Sequence, residues 1–383
     1  MIYIDQRGDM RVLLIGKFPP GQGGIASKTY WLYMALARRE FLFDIVTLVP
    51  NLYASKDQAE LPSGVHVKLL QANTKGPWFI PGGELDTERL IAAALEMAAD
   101  NRPDVVECNY LAPYGIASLV VSRSLGVPLI VRHAGSDLAK LLGWEETRAA
   151  LETLLTSADL IVSNGDAIDR LKRFNSRIIA LPRYVPDPER FNMAPRVPEE
   201  QLILYAGKLN YYLRLNALDS LLLALRLQPS WNLLVIGGGK GQEAFEAAIK
   251  VNGLENRVRI MDFLPPEKMP EMIQTAQLVW AVERQGDISD FSNTVWEAIF
   301  CGRRCLVSPT VIQHPDAAIF STSPLLVSVD PDDPVSIAST FDRCQTVVPQ
   351  EAPDFSEVHR RYVDSNAAIY ERICRGLFVG NES

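Results

Sequence analysis

Three features of this chain could do chemistry together. A glycine loop, Gly21-Gln-Gly-Gly-Ile-Ala26, lies between the apolar run Arg11–Ile15 and a helical pattern. Its glycines would let the backbone approach an anion, which a helix N-terminus attracts through free N–H groups and the helix dipole. Two cations, Lys208 and Arg214, flank the loop that follows the run Leu202–Ala206. Converging beside a cleft, they could hold a diphosphate and stabilise it as a leaving group. His133 ends the apolar run that starts at Pro128, and ligands of open parallel sheets bind at strand carboxyl ends. Each feature also has a plain reading: an ordinary turn, two surface cations and a structural histidine.

Two other chemistries fit less well. The loop formally matches G-x-G-x-x-A, the dinucleotide pattern. A nicotinamide enzyme would also want an acid at the end of its second strand, and that strand ends Thr47-Leu-Val-Pro-Asn51. Asp330-Pro-Asp-Asp333 contains an Asp-x-Asp that could hold a metal. It joins a strand to a helix, however, and reads as an N-cap through Asp332 or Asp333. No other His, Cys or carboxylate grouping has metal-ligand spacing, so neither a metal nor a cofactor is expected.

The elements that must position these residues alternate between short apolar runs and helical stretches. Runs at 43–49, 65–70, 104–109, 128–134, 159–164 and 177–181 join Arg11–Ile15 in a first block. Helices are expected at 26–39, 85–99, 114–125 and 146–157. The rhythm restarts with runs at 202–206, 231–236, 258–261, 278–283, 305–308 and 325–329 and a helix at 214–225. Such alternation implies α/β domains built on parallel sheets covered on both faces. Two blocks imply two doubly wound, Rossmann-like domains facing a cleft. The expected division is 1–185, a proline-rich linker 186–200, 201–355, and a final helix region 356–383 that packs back on the first domain.

Composition narrows the partners. The 383 residues are 48% hydrophobic and 22% charged, with a net charge of −8 and a pI near 5.2. An acidic chain of this kind is not a typical nucleic-acid binder. Five scattered cysteines form no disulfide framework, which points to a reducing cytoplasm. The start, MIYIDQRGDM, has no basic region or long apolar stretch of a signal peptide. Any membrane contact would be peripheral, at the inner face. The helix from Ala26 carries Tyr30, Trp31 and Tyr33 beside Lys28, Arg38 and Arg39, and Leu141-Leu-Gly-Trp144 looks exposed. These suit an interface; a core-facing helix with solvated ends explains the first group equally.

In order and spacing, the chain resembles the retaining GT-B glycosyltransferases of glycosyltransferase family 4. The likeness runs from Arg11 to the final helix. It includes Pro19-Pro-Gly-Gln-Gly-Gly24, Gly126-Val-Pro-Leu-Ile leading into His133, and Tyr205-Ala-Gly-Lys-Leu209. It also includes Phe291-Ser-Asn-Thr-Val-Trp-Glu-Ala-Ile-Phe-Cys-Gly302, against the signature Phe-Gly-x-x-x-x-Glu-Ala-x-x-x-Gly.

The resemblance implies a metal-independent transfer of a sugar, with retention, from a nucleoside-diphosphate donor to a hydroxyl. The acceptor would be a polysaccharide precursor, a lipid-linked saccharide or a small metabolite, as in cell-envelope polysaccharide biosynthesis. It makes His133, Lys208, Arg214 and Glu297 the candidate catalytic residues, Glu297 by holding the ribose hydroxyls. Gly23 and Gly24 would lie near the phosphates. Gly237, Gly238 and Leu264 would flank the base, while Ser292, Asn293 and Thr294 would meet the distal phosphate or donor sugar. Three departures stand out: Ser289 where the family has its first glutamate, with Asp290 beside it; Arg183-Tyr184 where Asn-Gly is common; and Lys208 and Arg214 interchanged in type. The alternative is a non-catalytic GT-B protein with an altered sugar pocket. A working site is the preferred reading, because both cations, Glu297, His133 and the glycine loop all remain.

Overall fold

A computed structural model describes residues 10–50, 53–73, 83–133, 137–138, 141–163, 167–181, 184–192, 198–211, 215–284, 292–320, 323–344 and 355–376. Arg214, Ser289 and Asp290 lie outside these residues.

The apolar runs form two parallel sheets. In the first, β1 (Arg11–Ile15), β2 (Leu42–Val49), β3 (Val65–Gln71), β4 (Val105–Cys108), β5 (Leu129–Arg132), β6 (Leu160–Ser163) and β7 (Ile178–Ala180) lie in the order β3-β2-β1-β4-β5-β6-β7. In the second, β8 (Leu202–Ala206), β9 (Asn232–Ile236), β10 (Val258–Met261), β11 (Leu278–Ala281), β12 (Arg304–Val307) and β13 (Leu326–Ser328) lie in the order β10-β9-β8-β11-β12-β13. Central strands such as β4 (VVEC) and β6 (LIVS) are buried throughout. Cover on both faces is why they read as continuous rather than alternating apolar runs.

Helices α1 (Gly24–Ala37), α2 (Gly83–Asp100), α3 (Ile116–Leu125), α4 (Glu145–Ser157) and α5 (Ile168–Leu171) belong to the first block. The second carries α6 (Leu218–Leu227), α7 (Gln242–Val251), α8 (Met269–Thr275), α9 (Asn293–Phe300), α10 (Pro309–Ile312) and α11 (Pro334–Arg343). Asp333 caps α11, accepting from the amides of Val335 and Ser336, so that acid serves the helix start. Two helices start later than their patterns suggest. A π turn over Leu111–Gly115 precedes α3. The turn Leu209–Tyr211 precedes α6, which begins only after Ala217 takes a left-handed conformation at φ 48°.

The aromatic residues that suggested a membrane face are in the core. Tyr30, Trp31 and Tyr33 are 3%, 4% and 0% exposed. Burial runs unbroken from Thr29 to Leu36, because α1 is enclosed on every side. Tyr33 stacks on Phe43 of β2, and Trp31 meets Phe191 edge-on in the linker. Leu141 and Leu142 are also buried, whereas Gly143 and Trp144 are at the surface. No helix among the described residues is long and apolar enough to cross a membrane.

The last helix, α12 (Ser356–Cys374), lies against the first sheet. Arg132, at the end of β5, donates to Asn366 Oδ1 at 2.9 Å and to the Tyr370 hydroxyl at 3.4 Å. That hydroxyl donates to Glu107 Oε2 at 2.7 Å, and Tyr33 donates to Glu107 Oε1 at 2.9 Å. Arg132 Nε is 3.0 Å from Glu107 Oε2. This buried ion pair with satisfied oxygens joins β4, β5, α1 and α12. The same helix touches the start of the segment that leads out of the first block: His359 Nδ1 lies 3.1 Å from the Val185 carbonyl oxygen, and the rings of Tyr184 and Tyr362 meet edge-on.

Candidate active site

In each sheet the strand order reverses beside the first strand of the block, leaving a crevice at the strand ends. In the first sheet the crevice lies between β1 and β4, where Gly16, Lys17 and Asn109 emerge. Asn109 clamps the loop there. It accepts from the Lys17 amide at 2.7 Å and donates to the Lys17 carbonyl at 2.8 Å and to Thr29 at 2.9 Å. A Cβ on Gly16 would come within 2.5 Å of Asn109 Oδ1, so a side chain there would break the clamp.

The glycine loop follows. The segment after β2 supports it: Gln22 donates its amide to the Tyr53 carbonyl at 2.7 Å, and Ser55 to Pro20 at 2.9 Å. This segment also reaches the second block. Lys56 pairs with Asp262, Asp57 with Lys268 at 3.0 Å, and the Glu60 amide donates to Glu267 at 3.1 Å. Gln22 Nε2 donates to the Leu264 carbonyl at 3.3 Å.

Opposite the loop stands Lys208, at the end of β8. A Cβ on Gly23, whose φ is 135°, would lie 3.4 Å from Lys208 Nζ. Any side chain at Gly23 would thus be strained and would crowd the cation. Burial lowers the Lys208 pKa to about 8. Burial also lowers Lys17 to about 7, with the Lys208 charge adding to the effect and Asp137 opposing it. Lys17 Nζ sits 3.3 Å from the centre of the Tyr110 ring. The site therefore holds two half-buried lysines, and an anion beside them would offset the repulsion that Lys17 feels from Lys208.

Beside Lys208 lies the second glycine loop. Leu209 donates its amide to the Gly238 carbonyl at 2.9 Å. Gly237 has φ 150°, a Cβ there would overlap the Gly207 carbonyl, and the Phe263 ring packs against Gly237 and Gly238. Backbone and an aromatic ring thus lie side by side there, with Leu264 next in the chain.

Helix α9 closes the space. Ser292 is its N-cap and accepts from the Thr294 amide at 3.3 Å, so that amide is engaged by the cap. Asn293 Nδ2 donates across the cleft to the Gly24 carbonyl at 3.0 Å. One turn further, Glu297 is 7% exposed. Among the described residues its hydrogen-bond partner is the Tyr184 hydroxyl, at 3.5 Å. Burial raises its carboxyl pKa to about 8, only partly offset by Tyr184.

His133 is buried at the end of β5, its side chain 3% exposed. Its Nε2 lies 2.8 Å from Ser163 Oγ and its Nδ1 3.9 Å from Asp137 Oδ1. It lines a cavity shared with Lys28, Asn109, Arg132, Ser163 and Tyr184. The structure thus gathers Gly23, Gly24, Lys208 and Asn293 on one cleft, with Gly237, Gly238 and Leu264 on its flank. Tyr184 connects Glu297 to the His133 cavity. Sequence reasoning missed Lys17, a cation directly after β1 that strand-end position alone could have flagged. It also missed the role of Tyr184, seen only as a departure from a pattern.

Comparison with known proteins finds matches by sequence and by fold. Residues 23–177 match the model described as "Glycosyl transferase 4-like domain", and residues 200–345 match "Glycosyl transferases group 1". No curated protein matches the sequence. Among solved structures, sucrose-phosphate synthase from Thermosynechococcus elongatus is 18% identical, with 97% of this chain and 100% of that chain covered at a TM-score of 0.61. HepE from Anabaena, solved in complex with UDP-glucose, is 16% identical over 96% and 99%, also at 0.61. WaaG, a glycosyltransferase involved in lipopolysaccharide biosynthesis, is 16% identical over 97% and 100%, at 0.59.

Proposed function

Since the chain belongs to the GT-B glycosyltransferases, we propose that it transfers a sugar from a nucleoside-diphosphate donor to a hydroxyl acceptor, with retention and without a metal. The observation that carries this reading is the meeting of Gly23 and Gly24 with Lys208 and Asn293 across the cleft. A diphosphate placed there would face two lysines and the first turn of α1. These charges would favour the departing nucleoside diphosphate over the bound ester, because negative charge grows on it as the bond breaks. Glu297, ionised, would accept two hydrogen bonds from a ribose diol. The base would lie against Gly237, Gly238 and Phe263. The acceptor, a saccharide or lipid-linked saccharide, would enter from the first domain and approach the sugar near His133. Departure and attack on one face keep the anomeric configuration.

Isothermal titration with UDP, GDP, ADP and dTDP, followed by turnover with the matching sugar donors, tests the reading. Binding of one of the four is expected, with an α-donor giving an α-product by NMR and activity unchanged in EDTA. A protein that binds one nucleotide but neither transfers nor hydrolyses any donor would instead be the non-catalytic alternative.

A further inference from the structure

A buried tyrosine hydroxyl usually finds a partner. That of Tyr184, 5% exposed, finds one in the other block: it donates to Glu297 Oε1 at 3.5 Å. The phenol has a defined place. Its ring meets that of Tyr362 edge-on, with centroids 6.3 Å apart, and the carbonyl oxygen of the adjoining Val185 lies 3.1 Å from His359 Nδ1.

Helical spacing sets where the carboxylate faces. Glu297 stands one turn beyond Asn293 on α9, so the two share one side of the helix. Asn293 donates to the Gly24 carbonyl at 3.0 Å, which turns this side to the glycine loop and the cleft. Glu297 is buried without being sealed, at 7% exposure. Among the described residues its Oε1 takes the Tyr184 bond and its Oε2 takes none. An ionised carboxylate has about four acceptor sites on its two oxygens, so one phenol leaves room for a diol. The phenol bond is also long. Tyr33 and Tyr370 approach Glu107 at 2.9 and 2.7 Å, the ordinary range for such bonds. Hydrogen bonds at reacting sites often tighten only when the ligand is in place, and the 3.5 Å contact leaves Glu297 that freedom.

We propose that Tyr184 is a positioning residue for the pentose: its hydroxyl anchors Oε1 of Glu297 and so aims the carboxylate at the sugar hydroxyls of the bound nucleotide. This rests on the function proposed above. It adds that recognition of the pentose is shared, the carboxylate coming from the second block and its aim from the segment that leads out of the first.

Titration with the best of UDP, GDP, ADP and dTDP, and with its analogue lacking the 3′-hydroxyl, tests it; melting of the nucleotide-free proteins checks their folding. The wild type should prefer the hydroxyl-bearing form about tenfold, the worth of a hydrogen bond to a charged group. Tyr184→Phe keeps the ring against Tyr362 and removes only the hydroxyl. Its affinity for the hydroxyl-bearing form should fall about three- to tenfold, and for the analogue only about twofold, so that the preference shrinks. The substitution should cost nothing further once Glu297 is alanine, since the two act through one contact. Tyr184→Phe binding both ligands like the wild type, or losing both equally, would overturn the inference and leave the proposed function standing. An additive loss in the double variant would do the same. A wild type that binds both forms equally would remove Glu297 from the pentose and the inference with it. One that binds none of the four nucleotides would overturn the proposed function as well.

Discussion

Two buried glutamates in this molecule have opposite surroundings. Glu107, 1% exposed, has both oxygens occupied: Tyr33 on one, Tyr370 and Arg132 on the other. Glu297, 7% exposed, meets one hydroxyl at 3.5 Å among the described residues, and its carboxyl is driven toward the neutral form. A buried carboxylate with its lone pairs filled holds structure together. One kept in a poorly furnished place carries a cost that a polar ligand can offset. The contrast separates scaffold from site without reference to any family.

The largest expected effect comes from the filled glutamate. Arg132→Met strands Glu107 in the core, and breaking such a pair costs about 3–5 kcal/mol. For blocks of this size that is a fall in Tm of roughly 6–20 °C, read by calorimetry without nucleotide. If Arg132→Met melts with the wild type, the contrast is wrong.

Lys208→Met and Glu297→Gln should behave differently. Glu297→Gln should not lower Tm by a comparable amount, because glutamine keeps an oxygen for the Tyr184 hydroxyl. Each should weaken nucleoside-diphosphate binding about tenfold to a hundredfold, the range for hydrogen bonds to charged groups. Wild-type affinity in both variants, measured by titration at pH 8, would place the nucleotide elsewhere.

A smaller effect sharpens the comparison through pH. The Glu297 carboxyl has a folded pKa near 8, above its ordinary value of 4.5. The folded chain therefore binds the extra proton, and its contribution is fully present below about pH 4.5 and lost as pH rises through 8. Glu297→Gln removes that dependence. The variant should gain on the wild type between pH 5 and pH 8 by on the order of 1–2 kcal/mol, once water reaching the site is allowed for. A constant difference across that range would mean the carboxylate is better solvated than its burial implies.

The smallest effect should come from the exposed ion pairs between the blocks. Lys56→Ser with Lys268→Ser removes two surface contacts that water and salt already weaken. No measurable change in Tm is expected at 0.15 M salt. A clear drop would show that these pairs, rather than the buried contacts, hold the blocks together.

Much of this was legible in the residues themselves. Continuous apolar runs marked the parallel strands, because strands covered on both faces need no polar alternation. The positions of Gly23, Gly24 and Lys208 followed from strand ends alone. What stayed hidden depends on distant pairings. Asn109 clamps a loop 92 positions away, Tyr53 meets Asn210 across 157, and Tyr184 reaches Glu297 across 113. Helix α1 misled in another way. With every face buried it shows no polar stripe, so its aromatics were as consistent with a lipid surface as with a core.

The contact between Val185 and His359 has a mechanical consequence. Tyr184, adjacent in the chain, meets Tyr362 of the same last helix and also reaches Glu297. Any shift in the seat of that terminal helix would therefore be felt at the half-furnished carboxyl of the second block.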